Sequence, residues 1–263
     1  MTARLLRSRE GEVERWTLHN PVQRNALDDD MVQALLAACA DAARDPALRF
    51  VVLTGSGGAF CAGGHLGDMS ALVGQPLAEG ASDPLIALNR RFGDLLHALC
   101  ALPQVLIAAV DGPAVAGGFG LVCCADFVVA TPAASFATPE VTLGIAPAQI
   151  APFVWRRLGD ATARQMLLEA RRFNASEAVI VGLVNEMADH DLEATTAALI
   201  AHLRRAAPGA IAATKRLLDR LAAHAVLDVR DEAARAFAAS LRNDEAREGL
   251  EAFVHKRSPG WAR

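Results

Sequence analysis

The stretch Val105-Leu106-Ile107-Ala108-Ala109-Val110-Asp111-Gly112-Pro113-Ala114-Val115-Ala116-Gly117-Gly118-Phe119-Gly120 sets the fold class. Its first six residues form an unbroken apolar run of strand length, and Asp111-Gly112-Pro113 closes that run with turn chemistry. Gly117-Gly118-Phe119-Gly120 then opens an apolar helical stretch, and a further strand is predicted at Phe127 to Ala130. Upstream, a helix is expected to start near Asp83 with Pro84 in its first turn, to carry Leu88, Phe92, Leu95, Leu96 and Leu99, and to stop before Pro103. Phe50 to Thr54 reads as another buried strand, entering a loop with Gly55, Gly57 and Gly58. Before it, Asp28 to Ala43 reads as a helix with Asp28 as cap, an apolar face at Met31, Val32, Leu35, Leu36 and Cys39, and Pro46 past its end. Strand and helix alternate, so this part of the chain is α/β. Beyond Asp191 the strand signals vanish. Helical patterns follow at Leu192 to Arg205, Ala210 to Ala223, Val229 to Leu241 and Asp244 to Lys256.

Composition narrows the function classes. The chain has 263 residues, 52% of them hydrophobic, with charge spread throughout, which suits a folded protein with a sizeable core. A formal net charge of −4 and basic residues in short pairs give no electrostatic footprint for nucleic acid. The most apolar stretch, Val105 to Ala130, is interrupted by Asp111, Gly112, Pro113 and Asp126, so no membrane span is expected there. Met1 to Glu14 alternates charged and apolar residues without an apolar core of signal-peptide length, so a soluble cytoplasmic protein is expected. The five cysteines, Cys39, Cys61, Cys100, Cys123 and Cys124, lack metal-ligand or redox spacing and read as reduced, packed thiols.

Familiar catalytic motifs are missing. Gly55-Ser56-Gly57-Gly58-Ala59-Phe60 lacks the last glycine of a dinucleotide fingerprint, and no glycine loop ends in Lys-Ser or Lys-Thr. There is no Gly-x-Ser-x-Gly elbow and no His-Glu-x-x-His helix, and the seven histidines are scattered, so no metal site is expected. What remains is two glycine-rich loops, each after a strand, with a carboxylate following the second. Glycine amides can approach a ligand oxygen closely, and two from separate loops could hold a developing enolate; glycines after strands also serve simply as turns.

Longer comparison of these loops is more specific. Ala59-Phe60-Cys61-Ala62-Gly63-Gly64-His65-Leu66-Gly67-Asp68-Met69 and Ile107 to Gly118 together resemble the two glycine loops of the crotonase (enoyl-CoA hydratase/isomerase) superfamily. His19-Asn20-Pro21-Val22-Gln23-Arg24-Asn25-Ala26-Leu27 is similar to that family's early CoA-contacting segment. Phe136-Ala137-Thr138-Pro139-Glu140-Val141-Thr142-Leu143-Gly144 is similar to its second catalytic strand-loop, and Phe253-Val254-His255-Lys256-Arg257 to its ending. The matches fall in the family's order over nearly the whole chain.

The resemblance implies a spiral of β-β-α units over residues 1–195 and a helical C-terminal trimerisation region over 196–263, assembled as a homotrimer or a dimer of trimers. It implies an acyl-CoA thioester substrate, with coenzyme A as part of the substrate and no separate cofactor. Carried over by position, the amides of Gly64 and Gly117 would polarise the thioester carbonyl. Ala26 and Ala62 would lie along the adenine and pantetheine, with His65 and Leu66 in the same loop. Arg24 and Lys256 would reach phosphates, Lys256 those of a neighbouring subunit's ligand. His65 stands where the family has Asp, and a loop-ordering hydrogen bond is its expected role. Cys61 has no readable partner and is expected to be a packed thiol rather than a nucleophile.

One departure bears on the reaction. Hydratases of this family use two glutamates around one water; here the first position is Gly120 and the second is Glu140. A lone carboxylate beside an oxyanion hole can also move a proton between carbons, as the one-glutamate isomerases of the family do. Gly144 to Val154, with Gly118 to Leu121, is similar to bacterial methylglutaconyl-CoA and isohexenylglutaconyl-CoA hydratases, which also carry glycine at the first position. The expectation is therefore a hydratase in which Glu140 activates water and returns the proton, while Gly120 leaves room for a branched or carboxylated acyl group. A Δ3-Δ2 isomerase and a catalytically silent CoA-thioester-binding protein are the alternatives.

Overall fold

The computed structural model describes residues 3–65, 67, 72–77, 80–189, 191–226 and 230–260. Among them, the larger sheet has six strands in the order β1 (Leu5–Glu10), β2 (Val13–Leu18), β3 (Phe50–Gly55), β4 (Val105–Val110), β6 (Phe127–Ala130) and β9 (Glu186–Met187). β1 and β2 form an antiparallel hairpin through Gly11 (φ 58°); every later pairing is parallel. The alternation from Leu5 to Glu14 is thus that of an edge hairpin. Arg7 pairs with Glu14 and Asp41, placing charge along an edge that would otherwise invite another strand.

Every residue of β4 is buried, because both sheet faces are covered. Leu106, Ala108 and Val110 enter the main core with Trp16, Phe60, Phe119 and Phe153. Val105, Ile107 and Ala109 face the other way, against Leu199 and Ile200 of α6 (Leu192–Leu203).

A second, three-stranded sheet has the order β5 (Pro113–Val115), β7 (Ser135–Ala137) and β8 (Phe173–Asn174). Its register reveals the repeat. Ala114 pairs with Phe136, and Cys61 bridges to Ala114, while β3, β4 and β6 pair in the same succession in the larger sheet. The second and third turns of the chain therefore each give one strand to the large sheet, one to the small sheet, and then a helix, while the first gives β3, the Cys61 bridge and a helix. These helices are α2 (Pro84–Cys100), α3 (Gly117–Cys124) and, after a short 3-10 turn, α4 (Ala151–Glu169). The result is the expected spiral of β-β-α units.

The sequence signals place the helix starts well. Asp28 caps α1 (Asp29–Arg44) by accepting from Met31 N–H, and Asp83 caps α2 by accepting from Leu85 N–H. α4 and α5 (Ala175–Ile180) were not expected from pattern; α4 contains Gly159 at φ 72°, which breaks its periodicity into two runs.

The C-terminal helices α7 (Pro208–Val226), α8 (Arg230–Leu241) and α9 (Asp244–Val254) follow, with Val229 outside the described residues. The boundary at 195/196 falls within α6, which is part of the large sheet's cover. α8 and α9 fold back over their own chain: Leu85 and Ile145 pack with Ala238, Leu241 and Ala246. Arg242 donates to both carboxylate oxygens of Asp83 at 2.6 Å, tying this lid to the start of α2. Among the described residues no helix is long and apolar enough to cross a membrane.

Candidate active site

Two chain segments are laced together to make the first wall. Arg24 and Asn25 both lie in the left-handed region (φ 48° and 57°), turning the chain so that Asn25 points inward. Its buried amide accepts from Asn20 N–H at 2.8 Å and donates to the carbonyls of Ser56 and Ala59, each at 2.8 Å. The segments then pair: Ala62 N–H to Arg24 carbonyl at 2.9 Å, Leu27 N–H to Gly63 carbonyl at 2.7 Å, and His65 N–H to Leu27 carbonyl at 3.2 Å. These bonds fix the backbone on both sides of Gly64.

The second loop docks on the first through glycine. A methyl group placed on Gly118 would sit 2.4 Å from the Cys61 carbonyl oxygen, and one on Gly63 would sit 3.3 Å from the Gly117 amide nitrogen. Only bare backbone permits this approach. Gly117 is the first residue of α3, so its N–H has no intrahelical acceptor, and the helix dipole favours negative charge at that point. Ala116, just before it, holds φ 51° and ψ −122°, clamped by its N–H to Ala137 carbonyl (2.8 Å) and by Gly120 N–H to its own carbonyl (3.0 Å). Such a conformation costs an alanine about 1–3 kcal/mol, against about 0.4–1 kcal/mol for the freer unfolded chain of glycine. Ala116→Gly is therefore expected to raise Tm by roughly 2–4 °C in thermal unfolding; a lower Tm would mean the turn stores no strain.

Glu140 begins a 3-10 turn, Glu140–Leu143, that ends at Gly144 (φ 72°). Ile145 N–H donates to the Glu140 carbonyl at 3.0 Å, and α9 presses on the turn: methyl groups on Gly144 and Gly249 would lie 2.7 Å from the Glu245 carbonyl carbon and 2.5 Å from the Leu143 carbonyl oxygen. The lid thus fixes the turn that carries Glu140 through close backbone contact. The Glu140 Oε2 is buried and has no hydrogen-bond partner among the described residues. Burial pushes its carboxyl up to about 7, opposed only by its own backbone N–H.

Gly64, Gly117 and Glu140 line one cavity of about 720 Å³, so the structure brings the three expected reacting groups together. Arg24, Ala62 and His65 line it as well. The His65 ring lies 3.2 Å from the Gln23 amide nitrogen, in keeping with a loop-ordering role. Ala26 is buried behind the loop and does not line the cavity. Lys256 is exposed just beyond α9 and is likewise absent from the cavity of its own chain. Leu66, Asp68 and Met69 lie outside the described residues. Burial raises the Cys61 thiol to about 12, which makes it a packed thiol.

Gly120 requires a correction. It was expected to leave space beside the acyl group, but a methyl group there would meet Ile150 Cγ2 at 2.5 Å and Leu96 Cδ2 at 3.7 Å. Ile150 fills the room that a first glutamate would need, and Ile150, not Gly120, faces the cavity. The sequence reading also missed Asn89, Phe92 and Gln149. Asn89 carried a usable signal: it is a polar residue set into the apolar face of α2.

The chain is similar to known proteins over nearly its whole length. Residues 8–263 match the family model described as enoyl-CoA hydratase/isomerase. The carnitinyl-CoA dehydratase of Salmonella arizonae is 33% identical, covering 99% of each chain. Among solved structures, an enoyl-CoA hydratase from Mycobacterium avium is 35% identical with a TM-score of 0.87, covering 99% of this chain and 100% of the other. Pseudomonas aeruginosa AtuE is 43% identical with a TM-score of 0.77 over 99% and 100%.

Proposed function

The chain belongs to the enoyl-CoA hydratase/isomerase family, whose members act on acyl-CoA thioesters, and on that premise we propose that it adds water across the α,β double bond of an enoyl-CoA. The observation that carries this reading is a single buried carboxylate, poised near neutrality, in the same cavity as two glycine amides from touching loops. Glu140 takes a proton from water as the oxygen bonds to the β-carbon. The π electrons move to the thioester oxygen, where Gly64 and Gly117 N–H groups stabilise the enolate. The protonated Glu140 then delivers its proton to the α-carbon, so that H and OH are added and the carboxylate is restored. Arg24 and Ala62 lie along the nucleotide and pantetheine arm, and Lys256 serves the phosphates of a neighbouring subunit's ligand in a trimer or paired trimers. The acyl group is a branched or medium-length one, enclosed by Phe92, Ile145 and Ile150 rather than admitted beside Gly120.

Product analysis tests this. Crotonyl-CoA, 3-methylglutaconyl-CoA and a 3-enoyl-CoA are each incubated with the protein; a 3-hydroxyacyl-CoA product is expected from at least one 2-enoyl thioester. The lone carboxylate also suits double-bond migration. Conversion of the 3-enoyl thioester without hydration of any 2-enoyl thioester would replace hydratase by isomerase, and binding without turnover would mean a silent ligand-binding protein.

A further inference from the structure

The inner face of α2 carries Leu85, Asn89, Gly93 and Leu96 at helical spacing. Three of the four can be located against the loop that follows Glu140. Leu85 shares a core with Ile145; a methyl group on Gly93 would meet the Gln149 side chain at 2.5 Å; Leu96 approaches Gly120 beside Ile150. Asn89 therefore lies between these points, on the wall opposite residues 145–149, whose first amide is hydrogen-bonded to the Glu140 carbonyl. Asn89 is 6% exposed, lines the same cavity, and its Oδ1 is buried without a hydrogen-bond partner among the described residues. An unpartnered amide on an otherwise apolar stripe is costly, and leucine would be cheaper there.

Two residues that line one cavity, Glu140 and Asn89, thus each carry a buried acceptor, Oε2 and Oδ1, with no partner among the described residues. A water molecule has two O–H donors. We propose that Asn89 positions the attacking water, its Oδ1 and Glu140 Oε2 each accepting one O–H, and so takes over part of the role of the first glutamate that Gly120 lacks. The division of labour balances. Glu140 removes one proton as the oxygen lone pair attacks the β-carbon; an amide oxygen is too weak a base to remove the other, which stays with the oxygen as the hydroxyl of the product. An acceptor also selects for water over a substrate carboxylate, which has no proton to donate at neutral pH.

This rests on the hydratase reading, so the test separates the two. Asn89→Leu and Asn89→Asp are compared with the unaltered protein in hydration of the 2-enoyl-CoA it turns over, and in exchange of the α-proton of a saturated acyl-CoA for deuterium in D2O. Exchange needs Glu140 and the two amides but no water at the β-carbon. Asn89→Leu is expected to lower kcat for hydration about 100-fold with KM and exchange within about threefold. Asn89→Asp keeps the acceptor and is expected to stay within about tenfold in hydration. Where leucine overpacks and the protein does not fold, Asn89→Ala, which a helix tolerates, is read the same way. Hydration within threefold in the leucine or alanine variant, or hydration and exchange lost in equal proportion, would overturn the assignment. If the unaltered protein exchanges the α-proton but hydrates no enoyl-CoA, the hydratase reading itself fails and the water-positioning role falls with it.

Discussion

Glu140→Gln is expected to lower kcat for enoyl hydration by about 10³-fold while leaving KM within about threefold. Glutamine keeps the shape of the side chain but can neither take a proton from water nor return one to carbon. The cavity offers no ready substitute: of the other acidic residues lining it, Asp28 is engaged as the cap of α1 and pairs with Arg4, and Asp29 pairs with Arg91. Steady-state kinetics on the preferred 2-enoyl-CoA check this, and a variant of unchanged rate would remove Glu140 from the mechanism.

The same residue links activity to pH and to stability. Its carboxyl is raised from 4.5 to about 7, so the base form needed for attack appears as pH rises through 7, and kcat/KM should climb there and then level off. Stability moves in the opposite sense. Between pH 4.5 and 7 the folded protein holds this proton more tightly than the unfolded chain, so stability falls as pH rises through that window, and the loss is complete above 7. A shift of this size corresponds to roughly 3 kcal/mol. Glu140→Gln should therefore be more stable than the unaltered protein at pH 8 by up to about that amount, with the difference closing near pH 4.5. Denaturant unfolding at the two pH values measures it; equal stabilities at pH 8 would mean that the carboxylate is well solvated.

The sequence is legible where one kind of force acts alone. β4 has the bounds its apolar run implies because both faces of the sheet are covered, and α1 and α2 begin at Asp28 and Asp83 because capping is local. The small sheet was not legible: β8 has two residues, β5 begins with proline, and their pairing depends on the superposition of successive turns of the spiral rather than on pattern. In the candidate site, Gly64, Gly117 and Glu140 could be singled out because the chemistry expected of them leaves a motif, and the three line one cavity. Gly120 misled because a glycine reports a missing side chain and not what fills the space, which is Ile150, thirty positions away in the chain. Asn89 belongs to no motif; its one trace in the sequence is a polar side chain on the apolar face of α2, and its buried Oδ1 without a partner among the described residues adds what the sequence could not show.

A large backbone effect on activity is expected at Gly118. A methyl group there would lie 2.4 Å from the Cys61 carbonyl oxygen and 2.7 Å from Cys61 Cβ, and neither atom can turn aside as the end of a long side chain can. The Cys61 carbonyl already accepts Val115 N–H at 2.9 Å, so the strain has to be relieved by parting the two loops. Those loops carry Gly64 and Gly117, and two donors aimed at one oxygen lose most of their effect when either shifts by a fraction of their hydrogen-bond length. Gly118→Ala should cost about 1–3 kcal/mol of stability through overpacking and about 100-fold in kcat through the misplaced amide. Gly117→Ala provides the contrast. Its new methyl would meet Phe92 Cζ at 3.1 Å and Leu27 Cδ1 at 3.2 Å, both ends of side chains that can yield by a few tenths of an ångström. A smaller loss of stability is expected there. If Gly118→Ala retains kcat within about threefold, the close contact of the two loops is not what aligns the proposed oxyanion donors, and the backbone bonds on either side of Gly64 and at Ala116 suffice to hold them.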